Sequence, residues 1–386
     1  MNNDPRVKAP EYVYYFTDYG TRSVPATLKM KIVILSDKKP GHYKQSLGIV
    51  ERMPECRTVW LEIQFRRKWR DNLLRVFMCL FGGVPLPISL IHGLLRWSLI
   101  PESYDALVQH QTADIILSTG SSVAAVNLLL GKILRAMTVT CRRPSPVGTR
   151  YFDLAILPMI SWHHVSRKDN ICRTIGVPNP ISPESLDTKR KQLEGELNLS
   201  DCPRIGVLLG GTDRHETIAR DDAERLSEIC KVTAETMNAQ ILVTTSRRTP
   251  PDVTEHLVST VKHADWCPFF ITPDTSSELE DPYQAILALS DLLIATADSF
   301  SMVCEAASSG RKVIVLMLSE EKTRLPKRHE VYRYMEEHSI VSRRRLDGLE
   351  THIANALASE MSNKSLQDTD IAVGAIRQLV ANRSSI

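Results

Sequence analysis

The sequence lacks paired cysteines, a strong net charge and internal repeats. Its 8 cysteines stand singly, without a C-x-x-C pair, so neither a zinc site nor a disulfide framework is expected, and the pattern fits reduced thiols in a cytosol. The formal net charge of +3 is close to neutral, which argues against a general nucleic-acid binder. No solenoid repeat or low-complexity tract is present, and the polar N-terminus has no apolar core of the signal-peptide type.

What is present fits two ordinary α/β domains. The 386 residues are 43% hydrophobic and 24% charged, which is typical of a globular protein with room for two cores. Short β-rich runs alternate with helical stretches, which predicts parallel sheets with crossover helices. The predicted strands are Lys31–Ser36, Thr58–Ile63, Asp114–Ser118, Met137–Thr140 and Asp153–Leu157 in the first half, and Arg204–Leu209, Gln240–Thr245, Trp266–Ile271, Leu292–Thr296 and Lys312–Leu318 in the second.

A proline-rich stretch predicts the boundary between the domains. Three prolines stand within Gly176–Pro183, and such a stretch continues neither a helix nor a central strand. The spacing of apolar residues in Leu366–Asn382 predicts an amphipathic helix, a candidate to pack back on the first domain. The predicted divisions are an N-terminal extension over 1–29, a Rossmann-like domain over 30–176, a linker over 177–200 and a second Rossmann-like domain over 201–386.

Turns rich in glycine and small hydroxyls follow strands of the second half. Free backbone N–H groups and the positive end of a helix favour a phosphate at such turns, although each is also compatible with a tight turn or a solvated charge. Glu305 lies one helical turn further on, where it suits two ribose hydroxyls or simply the helix dipole. The candidate phosphate ligands are Gly210, Gly211, Thr212, Ser246, Arg247, Asp298, Ser299 and Ser301.

The first half offers candidate acid–base groups after its first strand. An imidazole commonly titrates near working pH, so His42 is a candidate to take a proton from a hydroxyl, and Asp37 is the second candidate. The alternatives are an exposed capping histidine and a turn-forming carboxylate. Thr119–Ser122 follows another strand and is expected either at the cleft or as a helix cap. Arg142 and Arg143 follow a third strand, where they suit an anionic ligand or the surface.

Residues 65–97 combine basic and apolar character. They hold six Lys or Arg against one acid, and Val76–Ile91 carries no charge. Its 16 residues are broken by Gly and Pro and fall short of the roughly 20 needed to span a bilayer. Basic flanks, Trp and an apolar patch instead suit interfacial contact with anionic lipid. A buried helical hairpin with a solvated basic edge is the alternative.

Four blocks in order resemble a known family, the elongated-mitochondria (mitochondrial fission) proteins. Around Met159–His164 and at Lys38 and Lys39 the sequence departs from the family pattern. That family is similar in turn to GT-B glycosyltransferases, which implies two Rossmann-like parallel-sheet domains facing a cleft. The resemblance places the acceptor in the first domain and the donor in the second. The matching blocks are Leu35–Gly48, Val243–Pro250, Asp281–Tyr283 and Ala297–Ala306.

The resemblance implies a glycosyltransferase that moves a sugar from a nucleotide-sugar, its co-substrate, to a lipid-linked or lipopolysaccharide-type acceptor. Such a protein is expected in the cytoplasm, bound peripherally to the inner face of the membrane through residues 65–97, with no other cofactor. A non-catalytic membrane adaptor and a nucleotide-sugar epimerase are the alternatives. No catalytic metal is expected, because the one Asp-x-Asp, Asp368 and Asp370, lies in the tail.

Overall fold

The computed structural model consists of two lobes, each built on a parallel sheet of six strands. We call them the first lobe, around β1–β6, and the second lobe, around β7–β12. The proposed extension over 1–29 lies outside the described residues. The structure describes residues 30–164, 169–196, 201–213, 216–274, 279, 281–318, 327–360 and 364–384.

The first sheet has the order β2-β1-β3-β4-β5-β6, and the second has the order β12-β11-β10-β7-β8-β9. Most inner strands are short Val, Ile and Leu runs buried along their whole length, as parallel strands covered by helices on both faces must be. The strands are β1 Lys31–Ser36, β2 Arg57–Glu62, β3 Ile115–Thr119, β4 Met137–Cys141, β5 Leu154–Pro158, β6 Ile171–Thr174, β7 Arg204–Leu208, β8 Gln240–Thr244, β9 Phe269–Ile271, β10 Leu292–Thr296, β11 Lys312–Leu316 and β12 Ser342–Arg344.

Helices cover both faces of each sheet and supply the crossovers between parallel strands. A 3-10 helix, Met159–His164, follows β5. The α-helices are α1 Pro40–Glu51, α2 Lys68–Phe81, α3 Ile88–Ser98, α4 Pro101–Gln109, α5 Ala124–Leu134, α6 Pro183–Glu196, α7 Arg220–Met237, α8 Pro251–Thr260, α9 Pro282–Leu289, α10 Phe300–Ser308, α11 Lys327–Glu337, α12 Leu349–Ala358 and α13 Asp368–Ser384.

All ten predicted strands form, most with ends displaced by one or two residues, and β6 and β12 are additional edge strands. The basic run Arg343–Arg345 reads in sequence as a charged helix end, but Arg343 and Arg344 belong to β12. Both arginines pair there with Glu336 of α11. A three-residue edge strand with half-exposed basic side chains has no apolar run to mark it.

Two segments join the lobes, one of which is the proline-rich stretch. Part of the predicted linker is helical, because α6 begins at Pro183 and buries Leu186 and Leu193 in the second lobe. The final helix, α13, returns to the first lobe and packs on β5, β6 and α1. At its start Asp368 accepts hydrogen bonds from the N–H groups of Ile175 and Gly176, at 2.8 and 2.6 Å.

Each sheet reverses its strand order at one point, between β1 and β3 in the first lobe and between β10 and β7 in the second. Ligands of open α/β sheets collect beyond the carboxyl ends of strands at such points, because the loops on either side turn away from each other. The loops after β1 and β3, and those after β7 and β10, carry most of the candidate site residues, and the loop after β8 adds Ser246 and Arg247. Both sets therefore occupy the positions where this architecture leaves a crevice.

Candidate functional site

An Asp–His pair lies at the switch point of the first lobe. The Nδ1 atom of His42 is 2.9 and 3.0 Å from the two carboxylate oxygens of Asp37. The carboxylate also accepts hydrogen bonds from Lys39 Nζ, at 2.7 Å, and from the Ser122 hydroxyl. Burial alone raises the pKa of Asp37, but these hydrogen bonds outweigh it and hold that pKa well below its usual range. Asp37 is thus a fixed negative charge that orients the imidazole.

Gly120 makes room for the imidazole from the loop after β3. Its φ of +86° lies in the left-handed region, and a Cβ placed there would lie 2.3 Å from His42 Cε1. Only glycine therefore fits this position. The same loop supplies Ser122 to Asp37, so the Thr119–Ser122 turn forms one wall of the acid–base pair. The His42 side chain is 15% exposed, which leaves the ring open to a ligand on one side.

The N-terminus of α10 in the second lobe faces this pair. In the described part of the chain, no hydrogen bond uses the N–H groups of Phe300, Ser301 or Met302, and the hydroxyl of the N-cap Ser299 caps none of them. A Cβ on Gly41 of α1 would lie 3.7 Å from Ser301 Oγ, so α1 and α10 begin side by side. The predicted phosphate ligands Ser299 and Ser301 thus sit at an open helix end beside the first lobe.

Glu305 lies at the contact between the lobes. Its carboxylate is 3.0 Å from Lys44 Nζ of α1, and its side chain is only 4% exposed. The ammonium also lies 4.3 Å from the centroid of the Tyr283 ring, a cation–π contact. Burial first, and then the Glu305 charge, raise the pKa of Tyr283 well above its ordinary value. The predicted ribose ligand is therefore paired with a lysine of the opposite lobe, a partner that the sequence does not indicate.

The loop after β7 is tied into the second lobe. The N–H groups of Gly210 and Gly211 bond Thr296 Oγ1 and Asp298 Oδ2, each at 2.7 Å, and that of Thr212 bonds the Arg248 carbonyl at 2.8 Å. A Cβ on Gly211 would collide with the Arg248 backbone at 2.0 Å. The glycines thus serve close packing, and the backbone amides predicted to cradle a diphosphate are already paired. Thr212 itself is exposed and shares its hydroxyl with Thr217.

Asp298 and Ser246 hold that loop in place. The Asp298 carboxylate is buried, and burial raises its pKa against the opposing hydrogen bond from Gly211. Ser246 donates its hydroxyl to the Gly210 carbonyl at 2.6 Å. Both residues are predicted phosphate ligands, but their polar groups are used to position the loop. Arg247 is exposed, whereas the guanidinium of its neighbour Arg248 lies 3.6 Å from the Asp298 carboxylate. Arg248, which the sequence does not single out, is the arginine directed at the loop.

A buried ion cluster beneath this loop is absent from the sequence-based predictions. Arg328 and His329, at the start of α11, both bond the Glu216 carboxylate, and Arg328 also bonds Asp213. Burial raises the pKa of Glu216, but His329 and Arg328 together lower it to about 2. The partners stand more than 100 residues apart, so no local pattern reveals them. The cluster anchors the strand-end loop against α11.

The site is thus built by five strand-end loops, those after β1 and β3 in the first lobe and those after β7, β8 and β10 in the second. Residues 40–380 match the family Mitochondrial fission ELM1. The chain belongs to that family. The matched range contains α1, β8 and α10, the elements that carry or precede most of the site residues.

One curated protein and two solved structures are similar to this chain. Protein RP120 of Rickettsia prowazekii is 21% identical over 315 residues, which covers 74% of this chain and 83% of that protein. UDP-GlcNAc 2-epimerase from Neisseria meningitidis, bound to UDP-GlcNAc, has a TM-score of 0.53 at 15% identity and covers 90% of this chain and 100% of its own. The Methanocaldococcus jannaschii epimerase, with UDP-GlcNAc and UDP, has a TM-score of 0.50 at 12% identity, covering 92% and 100%. The fold is confirmed as two Rossmann-like domains of GT-B type facing a cleft.

Proposed function

We propose that this family member is a glycosyltransferase that uses a nucleotide-sugar donor and a lipid-linked or lipopolysaccharide-type acceptor. The observation that carries the proposal is the juxtaposition of an Asp-oriented imidazole in one lobe with an open helix N-terminus and a carboxylate in the other. Glycosyl transfer needs a base for the acceptor hydroxyl and an anion site for the departing nucleoside diphosphate. Those two requirements fall on opposite walls of the same crevice.

The first lobe would supply the base. Because Asp37 accepts the hydrogen on His42 Nδ1, the other ring nitrogen, Nε2, carries the lone pair. That nitrogen takes the proton as the acceptor oxygen attacks the anomeric carbon. Asp37 then stabilises the imidazolium through the same hydrogen bond, without taking the proton itself.

The second lobe would hold the donor. The free N–H groups at the start of α10 and the hydroxyls of Ser299 and Ser301 receive the diphosphate, and negative charge there is favoured by the helix dipole. The ribose hydroxyls then donate to Glu305. In the structure Lys44 occupies that carboxylate, so donor binding exchanges the ammonium for the ribose. The exposed guanidiniums of Arg247 and Arg248 flank the diphosphate path.

The test is a titration of the full-length protein with UDP, GDP, ADP and CMP, followed by thermal unfolding. A ligand that binds only the folded state raises the melting temperature in proportion to ln(1 + [L]/Kd). One nucleotide should raise it by several degrees while the others do not. A folded sample that responds to none of them would contradict the proposal and leave the membrane-adaptor function.

An epimerase is the second candidate, since solved epimerases of this fold bind UDP-GlcNAc in their crystals. An epimerase interconverts its nucleotide-sugar without any acceptor, so incubation of the protein with UDP-GlcNAc alone separates the two. We expect no epimer to form. Appearance of the 2-epimer would replace the transferase proposal with the epimerase.

The membrane contact proposed for residues 65–97 is supported by their surface. Among the described residues no helix combines the length and apolarity needed to cross a bilayer. The segment's single acid, Asp71, is buried and paired with Lys68 and Arg75, so its exposed charge is positive. Nine of the twelve exposed large apolar side chains of the described chain lie on α2, α3 and the turn between them. They are Trp69, Leu73, Val76, Leu80, Phe81, Val84, Ile88, Leu90 and Trp97.

The apolar surface adjoins the rim of the cleft. Arg75 of α2 donates to the Ser145 carbonyl at 3.0 Å, and the Ser145 N–H bonds Ser121 Oγ at 3.1 Å. Ser121 belongs to the turn that walls the Asp37–His42 pair. A bilayer under α2 and α3 would therefore present a lipid headgroup beside the acid–base pair, which suits a lipid-linked acceptor.

Replacing Leu80 and Ile88 with serine is expected to reduce co-sedimentation with vesicles that contain anionic lipid. These side chains are 65% and 57% exposed, so their loss removes apolar contact with lipid without opening the core. Binding should also weaken as salt is raised, because the basic residues act through screened charge. The control is Ile371→Ser, which alters another exposed apolar residue, on α13 and 45% exposed. Co-sedimentation that is unchanged by the lipid charge and by the double substitution would contradict the membrane contact.

A further inference from the structure

The loop after β4 carries a basic residue in an unusual backbone conformation. Arg142 has φ of +69°, a left-handed value that side chains other than glycine rarely adopt. Its own N–H bonds the Ile156 carbonyl at 2.9 Å, which pins the residue between β4 and β5. Backbone strain of this kind persists where the surroundings impose it, often at ligand sites.

The position places Arg142 at the acid–base pair. The carbonyl of the preceding residue, Cys141, accepts from the Gly120 N–H at 2.9 Å, and Gly120 is the residue against which the His42 ring packs. The guanidinium has the Asp37 carboxylate of the first lobe and Cys304 of the second as its electrostatic neighbours. Arg142 therefore lies in the crevice between the lobes, beside the proposed base.

The guanidinium is free to take a ligand. No hydrogen bond or ion pair within the described part of the chain uses the Arg142 side chain, and the residue is exposed to solvent. Even so, the surrounding protein desolvates it and lowers its pKa. A partly desolvated cation without a partner interacts with an anion more strongly than a surface arginine does.

The same loop reaches the apolar surface of α2 and α3. Arg143 accepts from the Ser121 hydroxyl through its carbonyl, and two residues later Ser145 accepts from Arg75 of α2. Arg142 thus stands between the proposed lipid contact and the proposed base. A phosphate that links a lipid to its headgroup would pass this point.

We propose that Arg142 is a phosphate-binding residue of the cleft, which makes the substrate held by the first lobe a phosphate ester or pyrophosphate. The guanidinium fork matches two phosphate oxygens. The inference rests on the proposed function only for the placement of substrate between the lobes. The phosphate comes either from a lipid-linked acceptor or from the nucleotide donor, and these two sources are separable.

The experiment compares Arg142→Gln with Arg143→Gln in the full-length protein. Arg143 is the matched control, being the adjacent, exposed arginine of the same loop. Affinities are measured by calorimetry for inorganic pyrophosphate, UDP and geranyl diphosphate. Arg142→Gln should weaken pyrophosphate at least about tenfold, the typical loss of a charge-assisted hydrogen bond, while Arg143→Gln should change it less than about twofold, as for a screened surface charge.

The two remaining ligands identify the source of the phosphate. Alongside the loss for pyrophosphate, a loss for geranyl diphosphate but not for UDP assigns Arg142 to the acceptor, and a loss for UDP assigns it to the donor. Unchanged affinity for all three ligands, or equal losses in both variants, would overturn the proposal. Arg142→Gly is a second test that also folds, because glycine adopts the positive φ without strain. Pyrophosphate binding requires no turnover, so it can succeed or fail independently of glycosyl transfer.

Discussion

Glu305→Gln is expected to abolish the nucleotide-dependent rise in melting temperature. The carboxylate lies on the lobe contact and is the group we assign to the two ribose hydroxyls. Glutamine has nearly the same shape but lacks the charge that makes both hydrogen bonds strong. Hydrogen bonds to charged groups contribute about 1.5–3 kcal/mol, so affinity should fall roughly 10- to 150-fold. Calorimetric titration with the nucleotide that binds the unaltered protein measures this directly.

The matched control for Glu305→Gln is Glu336→Gln. Glu336 is also a paired glutamate of the second lobe, but its partners Arg343 and Arg344 lie on the outer strand β12. That variant should bind nucleotide as the unaltered protein does. Lys44→Met tests the exchange from the other side: with the ammonium removed, the ribose has no competitor and affinity should rise. Retention of full affinity by Glu305→Gln would refute the ribose assignment.

His42→Asn is expected to lower the rate of sugar transfer by about 10²- to 10⁴-fold, the usual contribution of a positioned general base. Nucleotide affinity should stay unchanged, because His42 is assigned to the acceptor and its side chain bonds Asp37, not a group assigned to the donor. The measurement is release of the nucleoside diphosphate from the donor in the presence of acceptor-containing membranes. Asp37→Asn should give a similar loss of rate, since an amide no longer holds the imidazole in the required tautomer. An equal fall in nucleotide affinity would point to misfolding instead.

Lys39→Met is the control for that pair. It removes one hydrogen bond to Asp37 and leaves the contact with His42 intact, so the rate should change far less.

The pH dependence follows from the lowered pKa of Asp37. The stability contributed by that carboxylate is fully present above its unfolded pKa of about 3.9 and is lost only as pH falls below that value. Rate changes between pH 5 and 8 are therefore not due to titration of the Asp37 carboxylate.

Local patterns in the sequence predict much of this architecture. Buried Val, Ile and Leu runs mark the inner strands. Glycine, serine and proline mark the turns at Asp37–His42 and Asp298–Ser301, which follow strands in the structure. The sequence offers Asp37 and His42 as alternative proton acceptors, and the structure joins the two side chains, which are five residues apart across the start of α1. Their roles in a site stay a prediction.

Local sequence patterns do not predict contacts between residues that are far apart in the chain. Ser122 reaches Asp37 across 85 residues, and Arg328 reaches Glu216 across 112. Lys44 meets Glu305 only because α1 and α10 begin side by side in opposite lobes. The hydrogen bonds from the N–H groups of Gly210 and Gly211 to Thr296 and Asp298 likewise form only because β7 and β10 are neighbours in the sheet. These pairings arise from packing of whole elements, which one sequence does not encode locally.

The return of the chain through Asp368 limits how the two halves can move. Because this carboxylate binds the backbone at Ile175 and Gly176, the outgoing and returning polypeptides are fastened together at a single pivot. That bond therefore opposes separation of the halves at the crossing. A protein shortened before α13 would lose Ala372, Val373 and Ile376 from the interior of the half to which its N-terminal strand belongs.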